Sequence, residues 1–423
     1  MAAPDPSQDG SPGPLPDAGP PSVAPERRRP RWSRRLKGCA LAAGASLIVL
    51  AVGLELGARL LLASPFGTEG ELVGMYQNAE HWGGVRTVPG WRGQHTVDGR
   101  SVPVRLDRLG LRGPELGARR PGELRILCTG DSFVFGYGVL AEEAFPAVLA
   151  ERLAARLDRP VVAGNSGVPG YGLIEQARAL ERLAPAFDPD VVVATLYLGN
   201  DFVDDQYQFK YVEAGYSVTG EWAHLLRSSP RARLMLHSRA WMWVEMTLIE
   251  AGLPWSLVPP RSKEQQRAFD GWPSLKRPNH TVGGFFMDVI DERHAWVPPD
   301  GPPVVPRVLA RMAATLTEIR AHTGRARVLL LVLPTWYHLV PEQRRILFRK
   351  MGLDASGYEA GLAQRRVRRV CGSVGIPVLD ITGPASELED PGVLFLQEDR
   401  HLNPEGHRFV AEQLAEVVEA LLR

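Results

Sequence analysis

Cysteine and net charge are both scarce in this chain. Three cysteines in 423 residues, Cys39, Cys128 and Cys371, cannot form a disulfide framework. Cys39 lies in an apolar run, Cys128 in a strand-like segment and Cys371 in a helix-like one, so all three read as buried free thiols. Formal net charge is only +1, and residues 1–37 carry seven Lys/Arg against four Asp/Glu, leaving about −2 elsewhere. That balance lacks the basic surface that phosphate backbones require, so nucleic acid is not expected as a partner. No G-x-S-x-G elbow occurs, which disfavours the α/β-hydrolase route to a serine nucleophile. Gly136 and Gly138 belong to no GxxxxGK[ST] phosphate loop, and no Cys/His spacing fits zinc. Neither a metal nor a cofactor is expected.

What the chain does have is enough apolar residue, 44%, to bury a full core and a second small lobe. Its N-terminus is organised differently. Residues 1–30 are rich in Pro, Gly, Asp and Ser and cannot bury enough apolar area to order themselves. The basic cluster ERRRPRWSRRLK follows, completing a cytoplasmic tail over 1–37. Gly38–Leu54 is then uncharged, and apolar character continues to Ala63, broken only by Glu55 and Arg59. These two are four apart, so they share a helix face near one membrane edge, where they pair or snorkel. Residues 38–63 read as a transmembrane signal anchor, with a cleaved signal peptide as the alternative. No Lys or Arg separates Arg59 from Arg86, so the positive-inside rule leaves the N-terminus cytoplasmic and the rest outside.

Residues 64–120 read as a β-rich lead-in with short alternating runs punctuated by Gly and Pro. From Leu124 the pattern alternates strand and helix. Strands are predicted at Leu124–Thr129, Val161–Ala163, Val191–Tyr197, Val328–Leu333 and Val378–Asp380. Helices are predicted near Glu142–Leu157, Gly172–Leu183, Arg307–His322, Tyr358–Val374 and Pro404–Leu422, the last capped by Asn403. Short apolar strands alternating with helices make a parallel sheet covered on both faces, a three-layer α/β/α domain over 121–423. Residues 202–306 interrupt it with six tryptophans (Trp222, Trp241, Trp243, Trp255, Trp272, Trp296). A hundred residues is too long for an ordinary connection, so this segment reads as an inserted cap near the site. Its tryptophans form a small core, a substrate platform or a membrane contact.

The stretch ILCTGDSFVFGYGV, Ile126–Val139, carries the chemistry. An apolar strand runs into Gly-Asp-Ser, and Ser132 falls where the strand gives way to a helix. A hydroxyl there is exposed at the carboxyl edge of the sheet beside backbone N–H groups that stabilise an oxyanion. Alone, Ser132 reads as a helix N-cap. Three further segments change this: GNSGVPGYG (Gly164–Gly172), YLGND (Tyr197–Asp201) and DRHLNPEGH (Asp399–His407). Together with Gly-Asp-Ser they resemble the SGNH (GDSL-like) hydrolase family, whose marker Ser, Gly, Asn and His occur in that order. DRLGLRGPEL, just upstream, is similar to a segment of the membrane-anchored bacterial members.

The resemblance implies a flavodoxin-like α/β fold and a serine acyl-transfer site. Ser132 is then the nucleophile and His401 the base. Ser132 N–H, Gly170 N–H and the Asn200 amide form the oxyanion hole. Gly167 is the second choice for the glycine. Asp399, two before His401, is favoured as the orienting carboxylate, with Glu398 as the alternative. Asp131 holds the turn and His407 is structural.

The expected activity is ester hydrolysis outside the cytoplasmic membrane, on acyl esters of envelope polysaccharide or lipid. The alternative enzyme is an O-acyltransferase to a glycan, using the same residues and needing a membrane acyl-donor partner. A non-catalytic scaffold of the same fold is the third reading, against which the complete Ser, Gly, Asn, Asp and His set speaks.

Overall fold

A computed structural model describes residues 34–61, 72–79, 84–205, 210–213, 216–219, 229–251, 253, 287–288, 304–351 and 355–423. The chain divides into two units, Met1–Gly57 and Ala58–Arg423. A continuous helix runs over Arg34–Leu61. Within it Cys39–Leu61 spans 23 residues with mean hydropathy 2.1. At 1.5 Å per residue that is about 34 Å, against about 30 Å of bilayer hydrocarbon. Among the described residues it is the one helix long and apolar enough to cross a membrane. Leu47, Ile48, Val49 and Leu50 on it are exposed, an arrangement that lipid tolerates and water does not. Cys39 is exposed there too, which corrects the reading of three buried thiols: the helix around it is exposed. Cys128 and Cys371 are buried, and burial pushes both thiols up, Cys371 to about 12, so they are inert. The N-terminal tail over 1–33 lies outside the described residues.

The second unit opens with four short strands: β1 (Tyr76–Ala79), β2 (Gly84–Thr87), β3 (Arg92–Val97) and β4 (Arg100–Arg105). β1 pairs antiparallel with β2, and β3 with β4. Asp98-Gly99 joins β3 to β4 with φ of 47° and 75°, the positive values a two-residue hairpin turn requires. Val97, Val104 and Leu106 pack with Leu72, Met75, Phe135 and Tyr137 into a small core.

The main sheet follows. Its strands are β5 (Leu124–Gly130), β6 (Val161–Gly167) and β7 (Val191–Tyr197). β8 (Lys210–Glu213) and β9 (Tyr216–Thr219) form a separate hairpin, and β10 (Arg327–Leu333) and β11 (Val378–Asp380) complete the sheet. The order is β11-β10-β7-β5-β6, all parallel. Counted along the chain this is 2-1-3-4-5, the flavodoxin-like order, with its topological switch at the carboxyl ends of β5 and β7.

Side-chain alternation splits each strand between two cores. Leu127, Val192, Ala194, Leu196, Val328 and Leu330 face one layer, with Leu180, Leu316 and Val367 from the helices Leu173–Phe187, Val304–His322 and Leu362–Val374. Ile126, Cys128, Val191, Val193, Leu329 and Leu331 face the other, with Leu149 and Leu414 from Phe145–Leu157 and Pro404–Leu422. Three layers result.

All five predicted strands lie in this sheet. Several helix ends shift by a few residues, the helix predicted from Glu142 starting at Phe145 and that from Arg307 at Val304, and two further shifts have clear local reasons. The helix predicted from Tyr358 starts at Leu362, because Gly361 at φ +80 holds its cap. The helix predicted to end at Leu183 continues through Pro185 to Phe187 before Asp188 closes it in the left-handed conformation. Trp241 and Trp243 of the predicted cap lie on the helix Arg239–Glu250; Trp222, Trp255, Trp272 and Trp296 lie outside the described residues.

Candidate active site

β5 is the first strand at the switch point, and its carboxyl end delivers Ser132. Asp131 caps the short helix Ser132–Phe135, its Oδ1 accepting the Phe133 N–H at 2.9 Å. The turn role expected for Asp131 is thereby met. Gly136 at φ +81 closes the helix one turn later. Flanking β5 on either side are β6 and β7, which deliver the other two residues expected in the oxyanion hole. Beyond β6, Val168-Pro169-Gly170-Tyr171 forms a tight turn closed by Tyr171 N–H to Val168 C=O at 3.0 Å. Gly170 at φ +79 takes the position in it that demands positive φ. Gly167 is glycine for another reason: a Cβ there would fall 2.1 Å from the Phe135 nitrogen. Asn200 comes three residues after the end of β7, and the next side chain, Asp201, accepts the Tyr197 N–H at 2.9 Å. Ser132, Gly170 and Asn200 thus stand at the carboxyl ends of three adjacent strands.

His401 comes from the loop before the helix Pro404–Leu422. Its Nε2 lies 2.7 Å from Ser132 Oγ, although the two are 269 residues apart in sequence. Its Nδ1 is hydrogen-bonded to Asp399 Oδ1. A carboxylate only accepts, so Nδ1 carries the proton and Nε2 is left to accept from the serine hydroxyl. Glu398 contributes no carboxylate to the ring; its N–H is bonded to Asp98 instead. Burial pushes Asp399 up, but its hydrogen bonds with the His401 ring and backbone N–H and its favourable electrostatics beside that residue outweigh this and hold it below the ordinary carboxylate range. The rings of Phe133 and Tyr137 flank His401 at centroid distances of 4.7 and 5.1 Å. The His401 and Asp399 side chains keep 21% and 26% exposure, so substrate and water reach them.

Two buried basic groups escaped the sequence reading. Arg112 donates to the carbonyls of Phe135, Gly136 and Val139, each at 2.6 Å. Burial draws its guanidinium down to about 10, and it remains charged. It lies in DRLGLRGPEL, the signal that was legible, and ties the lead-in to the loop behind Ser132. Arg112→Met removes three charge-assisted hydrogen bonds, leaving the Phe135 carbonyl only the Asn165 amide and the Gly136 carbonyl only the Val139 N–H, and is expected to cost about 3 kcal/mol or more in urea unfolding. A loss below about 1 kcal/mol would mean water replaces the guanidinium.

His95, on β3, stacks on Tyr137 at 4.7 Å and accepts the Gly138 N–H at 2.9 Å. His407 accepts the Phe145 N–H at 3.2 Å, the structural role expected of it. Burial, then the charge of Arg112, lowers His95 to about 4 and His407 to about 3. Both are therefore neutral when folded and protonate near pH 6.5 when unfolded. Their contribution is complete above pH 6.5 and is lost as pH falls towards 4 and 3. The slope is up to about 1.4 kcal/mol per pH unit for each. Thermal unfolding is expected to drop steeply below pH 6.5, and His407→Gln to flatten that drop. An unchanged slope in the variant would remove His407 from the account.

The fold and this constellation define a serine acyl-transfer enzyme on an open α/β sheet. The sequence profile of the GDSL-like Lipase/Acylhydrolase family matches residues 128–409, more than half of the chain, and the chain belongs to that family. It is a serine hydrolase of ester bonds. No curated protein matches it in sequence. Among solved structures it is similar to a lipase/acylhydrolase from Enterococcus faecalis at 11% identity and TM-score 0.36, covering 70% of this chain and 96% of that one. The psychrotrophic esterase EstA from Pseudoalteromonas sp. gives 11% identity and TM-score 0.33, covering 70% and 98%. A carbohydrate esterase family 2 enzyme with a carbohydrate binding domain from Corynascus thermopiles gives 13% and 0.34, covering 74% and 69%.

Proposed function

We propose that this protein is a membrane-anchored esterase that removes acyl groups from envelope polysaccharide or lipid outside the cytoplasmic membrane. The observation that carries the chemistry is the Ser132 Oγ to His401 Nε2 contact of 2.7 Å, with Asp399 on the far side of the ring. Ser132 attacks the acyl carbonyl as His401 takes its proton. The N–H groups of Ser132 and Gly170 and the amide of Asn200 receive the oxyanion. His401 returns the proton to the leaving alcohol and then deprotonates the water that frees the acid. The location rests on the apolar helix Cys39–Leu61 behind a basic cluster, with no Lys or Arg from 60 to 85.

Product analysis tests the acceptor. The full chain in detergent is given p-nitrophenyl acetate with and without a glycan carrying free hydroxyls. Free acetate in both samples is the expected result. Acetylated glycan would overturn hydrolysis in favour of the O-acyltransferase and its membrane acyl-donor partner. Protease added to intact spheroplasts is expected to cut residues beyond 64 and spare 1–37; the reverse pattern would invert the topology.

A further inference from the structure

The family profile begins at residue 128, so it assigns nothing to the strands before it. Yet that segment reaches three of the four blocks of the site. Arg112 holds the loop behind Ser132, and the Tyr171 hydroxyl beside Gly170 donates to the Val85 carbonyl in β2. The third contact is the most specific. Asp98, at the tip of the β3–β4 hairpin, accepts the N–H of Glu398 on Oδ2 at 3.0 Å and the N–H of Asp399 on Oδ1 at 3.3 Å.

The loop it grips needs an outside support. Phe395 bridges Leu402, and Leu396 N–H donates to the His401 carbonyl at 2.8 Å, so residues 397–400 project as a tip. Arg400 within that tip sits at φ +71, an uncommon conformation for a non-glycine residue that surrounding contacts must sustain. Asp399 and His401 lie on either side of Arg400, so its torsion sets how the carboxylate meets the ring. One carboxylate taking two successive N–H groups with both oxygens fixes the orientation of that peptide as well as its position. The hairpin is itself anchored: Arg100 pairs with Glu143 at 2.9 Å, and a Cβ at Gly138 would collide with Leu396 at 2.6 Å and approach Val97 at 3.3 Å.

We propose that Asp98 is a positioning residue for acyl transfer, clamping the Glu398–Asp399 backbone so that the Asp399 carboxylate is presented to His401. The inference rests on reading Asp399 and His401 as the orienting acid and base. It makes the lead-in a working part of the site.

The positive φ at Asp98 chooses the variants. Asp98→Gly preserves the turn and deletes both acceptors, whereas Asp98→Asn tolerates the same backbone and keeps one acceptor. The full chain in detergent is assayed with p-nitrophenyl acetate. Asp98→Gly is expected to lower kcat about tenfold with KM within about twofold, and Asp98→Asn to recover most of it. In an Asp399→Asn background the same Asp98→Gly change is expected to alter kcat less than about twofold, because the group being positioned is already gone. A full tenfold loss in that background, or none in the wild-type background, overturns the proposal. Hydrogen exchange reads the clamp without turnover: the amides of Glu398 and Asp399 are expected to exchange at least about tenfold faster in Asp98→Gly. Unchanged exchange overturns the clamp. Turnover surviving in Ser132→Ala would instead defeat the catalytic reading, with the exchange result still standing by itself.

Discussion

Ser132→Ala is expected to lower turnover of p-nitrophenyl acetate about 10⁴-fold or more and to abolish labelling by a fluorophosphonate probe. The size follows from the nucleophile acting as one unit with its base, so that removing it leaves only the oxyanion donors and substrate binding. Stability should hardly move. The side-chain hydroxyl bonds to His401, while the short helix is capped by Asp131 and closed by Gly136, both untouched. Thermal unfolding within a few degrees of wild type, with labelling gone, places the covalent acyl-enzyme on Ser132. Labelling that persists in the variant would put the nucleophile elsewhere and refute the assignment.

Asp399→Asn is expected to cost about 10³- to 10⁴-fold in kcat, the scale seen when a triad carboxylate becomes an amide. The amide can turn an NH₂ towards Nδ1. That holds the ring in the opposite tautomer, with its proton on Nε2, where it can no longer accept from Ser132. Because Asp399 is held below the ordinary carboxylate range, it is ionised throughout the neutral range in the wild type. Glu398→Gln is the paired control, expected within about twofold of wild type, since its backbone N–H to Asp98 survives the change. A large loss in Glu398→Gln with a small one in Asp399→Asn would hand the orienting role to Glu398.

The parallel sheet was legible because its strands are short runs of β-branched and apolar residues, such as Val191–Tyr197, set between amphipathic helices. Ser132 and His401 were legible through local blocks, where turn and cap chemistry leaves a pattern in a few neighbouring residues. Asp399 was favoured over Glu398 by the family's spacing alone, and the backbone geometry that presents its carboxylate to the ring had no such signal. It depends on Arg400 adopting φ +71, and an arginine gives no local sign of that. Arg112 and Asp98 escaped for a different reason. As single residues they read as surface charges, and what distinguishes them is a partner 23 to 301 residues away. Cys39 is exposed because an apolar neighbourhood marks a protein core only where other elements cover it, and the helix around Cys39 is exposed.

The separation of Ser132 from His401 also bears on how the molecule comes into being. The helix Pro404–Leu422 packs against Phe145–Leu157 and covers Ile126, Val191 and Val193 on one face of the sheet. Until Pro404–Leu422 emerges, that face has no complete cover, and the parallel pairings beneath it join segments far apart in the chain. Such topologies close slowly and leave apolar surface open while they do. Ser132 therefore waits for a base that arrives together with the helix covering this face.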